Sequence, residues 1–275
     1  MRRGAITASL FSLRTVIWIR WAMKYTNRYG LPEAFVRAVV NDTYSKGHSD
    51  FSATGLAEPA RASALKSQFN GSLEVDVSTR VAAIIGQGTH STAERAARPG
   101  IDLCEERLFA EFNVDGARYI VSAQLDLFEM DTGVLYDWKT TKAYAFSKAA
   151  GGGQKPEWQQ QLNVGAEILR RNGKEVKSLC IIALLKDWNK RDAGKVGYPS
   201  AEVVSVVLPL WHSSKTVDYI EARTRAHVLA KVTLPLCTSS ETWGGRKCGS
   251  WCDASSVCEQ YQGALKTGII IKGDE

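Results

Sequence analysis

Apolar positions change period along the chain, and the changes divide it into elements. After Pro32 they recur at helical spacing through "EAFVRAVV", and a proline suits a first helical turn. "DFSATGLAEPARASALKSQF" reads as a loop with a further short helix. "DVSTRVAAIIGQGTHSTAERAARPG" predicts a long helix, capped by Asp76 or Ser78 and stopped by Pro99-Gly100. From Leu108 to Thr141 the period falls to that of strands. "RYIVSAQLDLFE" and "VLYDWKTT" flank "MDTG", a turn-forming tetrad. Pro156 opens a helix that runs to Arg171 and is closed by Asn172-Gly173. "VKSLCIIALL" has the near-continuous apolar run of a buried strand, "AEVVSVVLPL" predicts another, and "TVDYIEARTRAHVLAK" predicts a helix. The order is helices, β-meander, helix, two strands, helix. It predicts an α/β or α+β domain built on a mixed sheet.

Composition changes this picture little. The 275 residues are 44% hydrophobic and 23% charged, as in an ordinary soluble domain, and their number fits one large domain or one with a small appendage. The net charge of +6 suits an anionic partner such as nucleic acid. The first 22 residues, "MRRGAITASLFSLRTVIWIRWA", hold four arginines and no acid. A secretory signal is one reading, but Arg14 interrupts the apolar run and no clean cleavage site follows. The stretch is also too short and too charged to span a membrane. The other reading is a wrongly assigned start, with Met23 opening a cytoplasmic protein. The expected organisation is a non-core extension over 1–22, a main domain over 23–232, and a cysteine-rich segment over 233–275.

The strand "VLYDWKTT" carries the candidate chemistry. Side chains alternate along a strand, so Asp137 and Lys139 share a face. If Asp131 and Thr132 form the hairpin loop, Asp126 lies directly opposite Asp137. Two carboxylates facing across strands repel, so one must be protonated or a cation must sit between them. A hard divalent cation such as Mg²⁺ takes one or two carboxylates plus waters and phosphate oxygens. A lysine beside it can offset developing negative charge. The competing reading is a plain ion pair on an exposed edge strand. A second acid-x-Lys, Glu175 and Lys177, has no acid placed on a neighbouring strand and reads as solvated surface. His90 adds a possible metal ligand in "GQGTHSTAER", with Glu94 on the same helical face. "WQQQLNVGAEIL" places Gln161 on the helix after the hairpin.

The combination "GQGTH", "QLD", "DWKTTK" and "QLN", in that order, resembles the RecB-type branch of the PD-(D/E)XK nucleases. "YTNRYGLP", "YSKG" and "DFSATGLAEPAR" look like phage and prophage members, so the resemblance runs from about Lys24 to the last cysteines. It implies a restriction-endonuclease-like fold, a mixed central sheet flanked by helices. Asp126 and Asp137 would hold Mg²⁺ or Mn²⁺, with His90 as a further ligand. Lys139 would orient the attacking water and stabilise the transition state, and Gln161 would contact the active site or DNA. Glu106 would match an auxiliary acid. Gly165 departs from the pattern, which often has tyrosine there. The implied activity is metal-assisted phosphodiester hydrolysis on DNA, as an exonuclease in phage recombination or repair. The rivals are a non-catalytic DNA-binding or scaffold protein with a degenerate nuclease core, and an RNA-directed or structural metal-cluster protein. The loop holding Lys148 and Lys155 would track a DNA backbone without reading sequence, or is a flexible connector.

Four of the six cysteines, Cys237, Cys248, Cys252 and Cys258, follow a C-x10-C-x3-C-x5-C spacing. In a cytoplasmic protein that points to a metal site or to free thiols rather than disulfides, and zinc usually has tighter C-x2-C pairs. The resemblance implies a 4Fe–4S cluster on a C-terminal cysteine triad, with Cys237 as fourth ligand because Ala60 stands near where an upstream cysteine is expected. Cys180 reads as core filler. Cys104 has no assigned role.

Overall fold

The computed structural model of the chain describes residues 23–41, 45–146 and 152–268, with the backbone of a short strand at 18–20. The rest of the 1–22 extension and Lys148 lie outside the described residues. Strand β1 (Trp18–Arg20) pairs antiparallel with β2 (Met23–Thr26). Pro32 ends the loop before α1 (Glu33–Val40), as its fixed backbone predicts. Strand β3 (Phe51–Ser52) leads into α2 (Ala53–Ala57), which Ser52 caps by accepting from the Gly55 N–H at 3.0 Å. Helix α3 (Ala60–Gln68) follows, and β4 (Leu73–Asp76) returns parallel to β2.

The long helix expected from Asp76 starts later. Asp76 does cap, accepting from the Ser78 N–H at 3.1 Å, but it opens a 3-10 turn over Val77–Arg80. Helix α4 begins after it and spans Val81–Ala96. Val77 is fully buried against Val36, Val39 and Val40 of α1, which pins the tight turn. Only Ala93 of α4 is buried, so this helix forms an outer wall.

The meander comprises β5 (Asp102–Leu103), β6 (Glu106–Val114), β7 (Ala117–Leu125), β8 (Leu127–Glu129) and β9 (Val134–Thr141). "RYIVSAQLDLFE" is not the single strand its alternation predicts. It breaks at Asp126: β7 stays in a three-stranded sheet ordered β3-β7-β6, and β8 crosses to β9. The cause is local. The Asp126 side chain accepts the Trp138 backbone N–H at 2.8 Å, where an unbroken strand would use a main-chain bond.

Helix α5 (Pro156–Arg171) has Pro156 in its first turn and ends at Asn172. Strands β10 (Ser178–Leu185) and β11 (Val203–Leu208) complete a five-stranded sheet ordered β11-β10-β9-β8-β5, with β9 and β10 parallel and the other neighbours antiparallel. The third sheet is β1-β2-β4. The protein is therefore a mixed α/β fold. Helix α5 is its centre: residues Leu162 to Leu169 are all buried, nearly all round the helix. They pack on Val121, Leu125, Leu135 and Ile181 from both neighbouring sheets. Each buried Leu, Ile or Val among them contributes roughly 1.5–3 kcal/mol by leaving water.

Helix α6 (Ser213–Thr233) covers α2, α3 and α5. The chain then forms α7 (Ser239–Thr242), α8 (Arg246–Ser250) and α9 (Glu259–Lys266). Thr238 and Glu241 close a capping box on α7. Leu65 of α3 and Phe69 just after it share an apolar cluster with Ala254, Cys258 and Tyr261. Among the described residues, no helix is long and apolar enough to cross a membrane.

Candidate functional site

Leu127 faces Tyr136 across the hairpin, and one further step in that register sets Asp126 beside Asp137, as the two-residue loop predicts. Gly133 makes the turn possible with a backbone φ of 72°, a conformation costly for other residues. Asp126 sits at the break between sheets and Asp137 within β9. Both are buried, at 8% and 3% exposure.

Around them the candidate residues converge. The Lys139 Nζ lies 2.6 Å from Asp137 Oδ2. Gln161, one turn into α5, donates from Nε2 to Asp137 Oδ1 at 3.0 Å, and its Oε1 accepts from Lys139 at 3.4 Å. The Asp137 Oδ2 is buried and has the Lys139 ammonium as its close ionic partner. Glu175 and Lys177, by contrast, stand 3.9 Å apart and well exposed, as the surface reading predicts.

His90 reaches in from α4. Its Nδ1 lies 3.0 Å from Glu105 Oε1 and 3.5 Å from Asp126 Oδ1. One ligand atom each from His90, Glu105 and Asp126 fall within 4.8 Å of one another. The acid that meets His90 here is Glu105, not the expected Glu106, which begins β6 and is exposed. Glu105 lies in a bend just before β6, outside the strand's alternation. Glu105 has a left-handed φ of 51°, a strain of order 1–2 kcal/mol for a residue with a side chain. Its carboxylate is held in place, with Oε2 accepting from Gln124 Nε2 at 2.7 Å. Gln124 in turn accepts from Arg107 at 2.6 Å. Glu94 is exposed but lines the same cavity as His90.

The electrostatics are those of crowded carboxylates. Burial, reinforced by Asp137, pushes the Asp126 carboxyl up to about 7, against the pull of Lys139 and His90. Its hydrogen bond to Glu105 raises His90 above its ordinary value. Burial works against ionisation of Glu105, but the bonds from His90 and Gln124 outweigh it and hold this carboxyl low. Burial opposes the Lys139 charge too, and Asp137 and Asp126 overcome it. One imidazole and the carboxylates of Glu105 and Asp126, with Asp137 held beside Lys139, form a donor set suited to a hard divalent cation.

The site opens into a cavity of about 820 Å³. Gly165 of α5 lines it where the resemblance often has tyrosine, and its backbone packs toward Leu135, Ala123 and Leu125. Of the two loop lysines, the described one, Lys155, stacks its ammonium 4.6 Å above the Trp158 ring. Cys104 donates to the Asp126 backbone oxygen at 2.9 Å, a support the sequence did not signal. Cys180 is buried in β10, as a core residue should be.

All six cysteines are free. Cys237, Cys248, Cys252 and Cys258 line a second cavity, of about 280 Å³. Burial pushes the Cys237 thiol up to about 12, with Glu241 and the neighbouring cysteines adding to it. Among the described residues no three of these sulfurs lie within 4.8 Å of one another. A single tetrahedral zinc, with Zn–S near ~2.3 Å, needs sulfurs closer than that.

No family model matches the chain, and no curated protein matches it. Its fold is similar to those of solved structures, among them the crystal structure of SSO0001, with a TM-score of 0.52 over 83% of this chain and 94% of that one. The identity is 14%, and the likeness is one of fold.

Proposed function

We propose that the chain is a metal-dependent DNA nuclease with a restriction-endonuclease-like core, acting as an exonuclease in phage recombination or repair. One observation carries this reading: buried Asp126 and Asp137 meet Lys139, Gln161, His90 and Glu105 at one cavity. Asp126, Asp137, His90 and Glu105 would hold Mg²⁺ or Mn²⁺. A bound divalent cation would lower the pKa of a water and offset charge on the scissile phosphate. Gln161 holds Asp137 and Lys139 in register from the central helix. The Lys139 ammonium is then fixed beside the carboxylates, where it orients the nucleophilic water and stabilises the anionic transition state. The net positive charge, and Lys155, favour a DNA backbone without sequence preference.

The cysteine cavity would hold a 4Fe–4S cluster rather than zinc, given the sulfur spacing, and a reducing cytoplasmic setting keeps those thiols available. The test of the nuclease is cleavage of end-labelled linear DNA with Mg²⁺ or EDTA, using the parent and Lys139→Ala. The parent should cut only with metal. The variant should lose about 10²–10³ in rate and keep DNA binding. A variant that cuts as fast as its parent refutes the role of Lys139. Metal-independent binding with no cleavage by the parent on any DNA form would instead leave a DNA-binding scaffold.

A further inference from the structure

Arg61 of α3 is 7% exposed, yet among the described residues it makes no ion pair with a carboxylate. Its Nε donates to Cys258 Sγ at 3.4 Å, and its Nη1 donates to the Leu234 carbonyl. It lines the cysteine cavity, and no aspartate or glutamate lines that cavity with it. Lys66, five residues on, shows the ordinary alternative: it pairs with Glu58 at 3.0 Å. A buried guanidinium without an anion costs several kcal/mol. A neutral thiol is a weak acceptor and does not repay that cost, whereas a thiolate is a full anionic partner.

We propose that Arg61 is the built-in counter-cation of a thiolate-bound metal group in this cavity. It donates to the Cys258 sulfur and favours the more reduced, more negative state of that group. This rests on the reading that the four cysteines hold an iron–sulfur cluster, and adds a residue far upstream of them. Four thiolates would carry four negative charges into a cavity lined by one arginine, and hydrogen bonds to cluster sulfurs are among the factors that set its potential. Arg61 also fastens α3 to the cysteine segment, through Cys258 and Leu234 at once.

The experiment uses the full chain, reconstituted anaerobically with ferrous iron and sulfide, as the parent, Arg61→Lys and Arg61→Gln. Iron and acid-labile sulfide per chain are measured, then the midpoint potential by stepwise one-electron reduction with dithionite. All three should load. Arg61→Gln should show about a tenfold smaller reduced-to-oxidised ratio at fixed potential, a fall of about 59 mV for one electron, and Arg61→Lys much less. Loading lost in Arg61→Gln and kept in Arg61→Lys would equally support a required positive charge. A loaded Arg61→Gln at the parental potential overturns the proposal. A parent that takes up no iron and sulfide overturns both the cluster and this proposal, and leaves the nuclease to its own cleavage assay. Should the variants not fold, the parent labelled with guanidino-¹⁵N arginine decides. Its reduced cluster should show a ¹⁵N hyperfine coupling, and none being seen counts against Arg61.

Discussion

Replacing Asp126 by Asn should make the protein more stable in the absence of metal, while abolishing cleavage. Asp126 is buried beside Asp137, and its carboxyl is pushed from 3.8 to about 7, first by burial and then by that neighbour. Below pH 3.8 both the folded and unfolded chains carry the proton, and the site costs nothing. Between 3.8 and about 7 the unfolded chain has released a proton that the folded chain still holds, so stability falls as pH rises. Above about 7 the folded chain bears the whole cost, about 4 kcal/mol at most. An asparagine Oδ1 can still accept the Trp138 N–H, so the break between β7 and β8 survives. Its amide brings a donor that must find a partner, and His90 loses an anionic neighbour. A net gain of about 2 kcal/mol is therefore expected, or about 4–8 °C in Tm for a domain of this size. Urea and thermal unfolding in EDTA at pH 8 and pH 4 measure it. The variant should be more stable than its parent at pH 8 and less stable at pH 4, where the parent's carboxyl is already protonated and only the amide's cost remains. Saturating Mg²⁺ should shrink or reverse it, because only the parent gains about 2.7 kcal/mol at a hundredfold excess over Kd. A variant no more stable than its parent at pH 8 in EDTA would sink the idea that the carboxylates are mutually frustrated without a cation.

Glu105→Gln should weaken metal-supported cleavage by about 10–100-fold in a Mg²⁺ titration, whereas Glu106→Gln should leave it unchanged; equal losses would place the auxiliary acid wrongly. Stabilisation by Mg²⁺ should grow from pH 5.5 to pH 8, because Asp126 titrates near 7 and His90 above its ordinary value, and both must lose protons to bind. A Tm gain independent of pH across that range counts against these ligands.

The hairpin chemistry was legible because two short-range rules fix it. Alternation puts Asp137 and Lys139 on one face, and the "MDTG" turn sets the register that brings Asp126 alongside. Helix α5 was legible from Pro156 and Asn172-Gly173, and its face then delivers Gln161. The break at Asp126 was not, since the apolar alternation runs straight through it and the carboxylate-to-Trp138 bond that replaces the ladder is a tertiary event. Glu105 was missed by one position for a related reason. It lies in a left-handed bend just before β6, where no period operates, and its place is set by His90 and Gln124 from other elements. Arg61 gave no signal at all: an arginine in a helix reads as solvated surface, and only the packing of the C-terminal segment onto α3 buries it.

The two cavities pose the same electrostatic problem with opposite sign. In the larger, Asp126, Asp137 and Glu105 bring three carboxylates against one ammonium and one imidazole, so any titration state short of protonating Asp126 leaves negative charge seeking a cation. In the smaller, a guanidinium faces four thiols with no carboxylate on the wall, so the charge seeking a partner is positive. A fold settled only for its own stability would neutralise both, the first with an amide and the second with a glutamate. On the proposed reading, each imbalance would be removed by an occupant of definite charge: a divalent cation among the carboxylates, and a metal group that turns the thiols into thiolates beside Arg61. The sign of the imbalance, more than the identity of any one residue, is what links these two sites to metal chemistry.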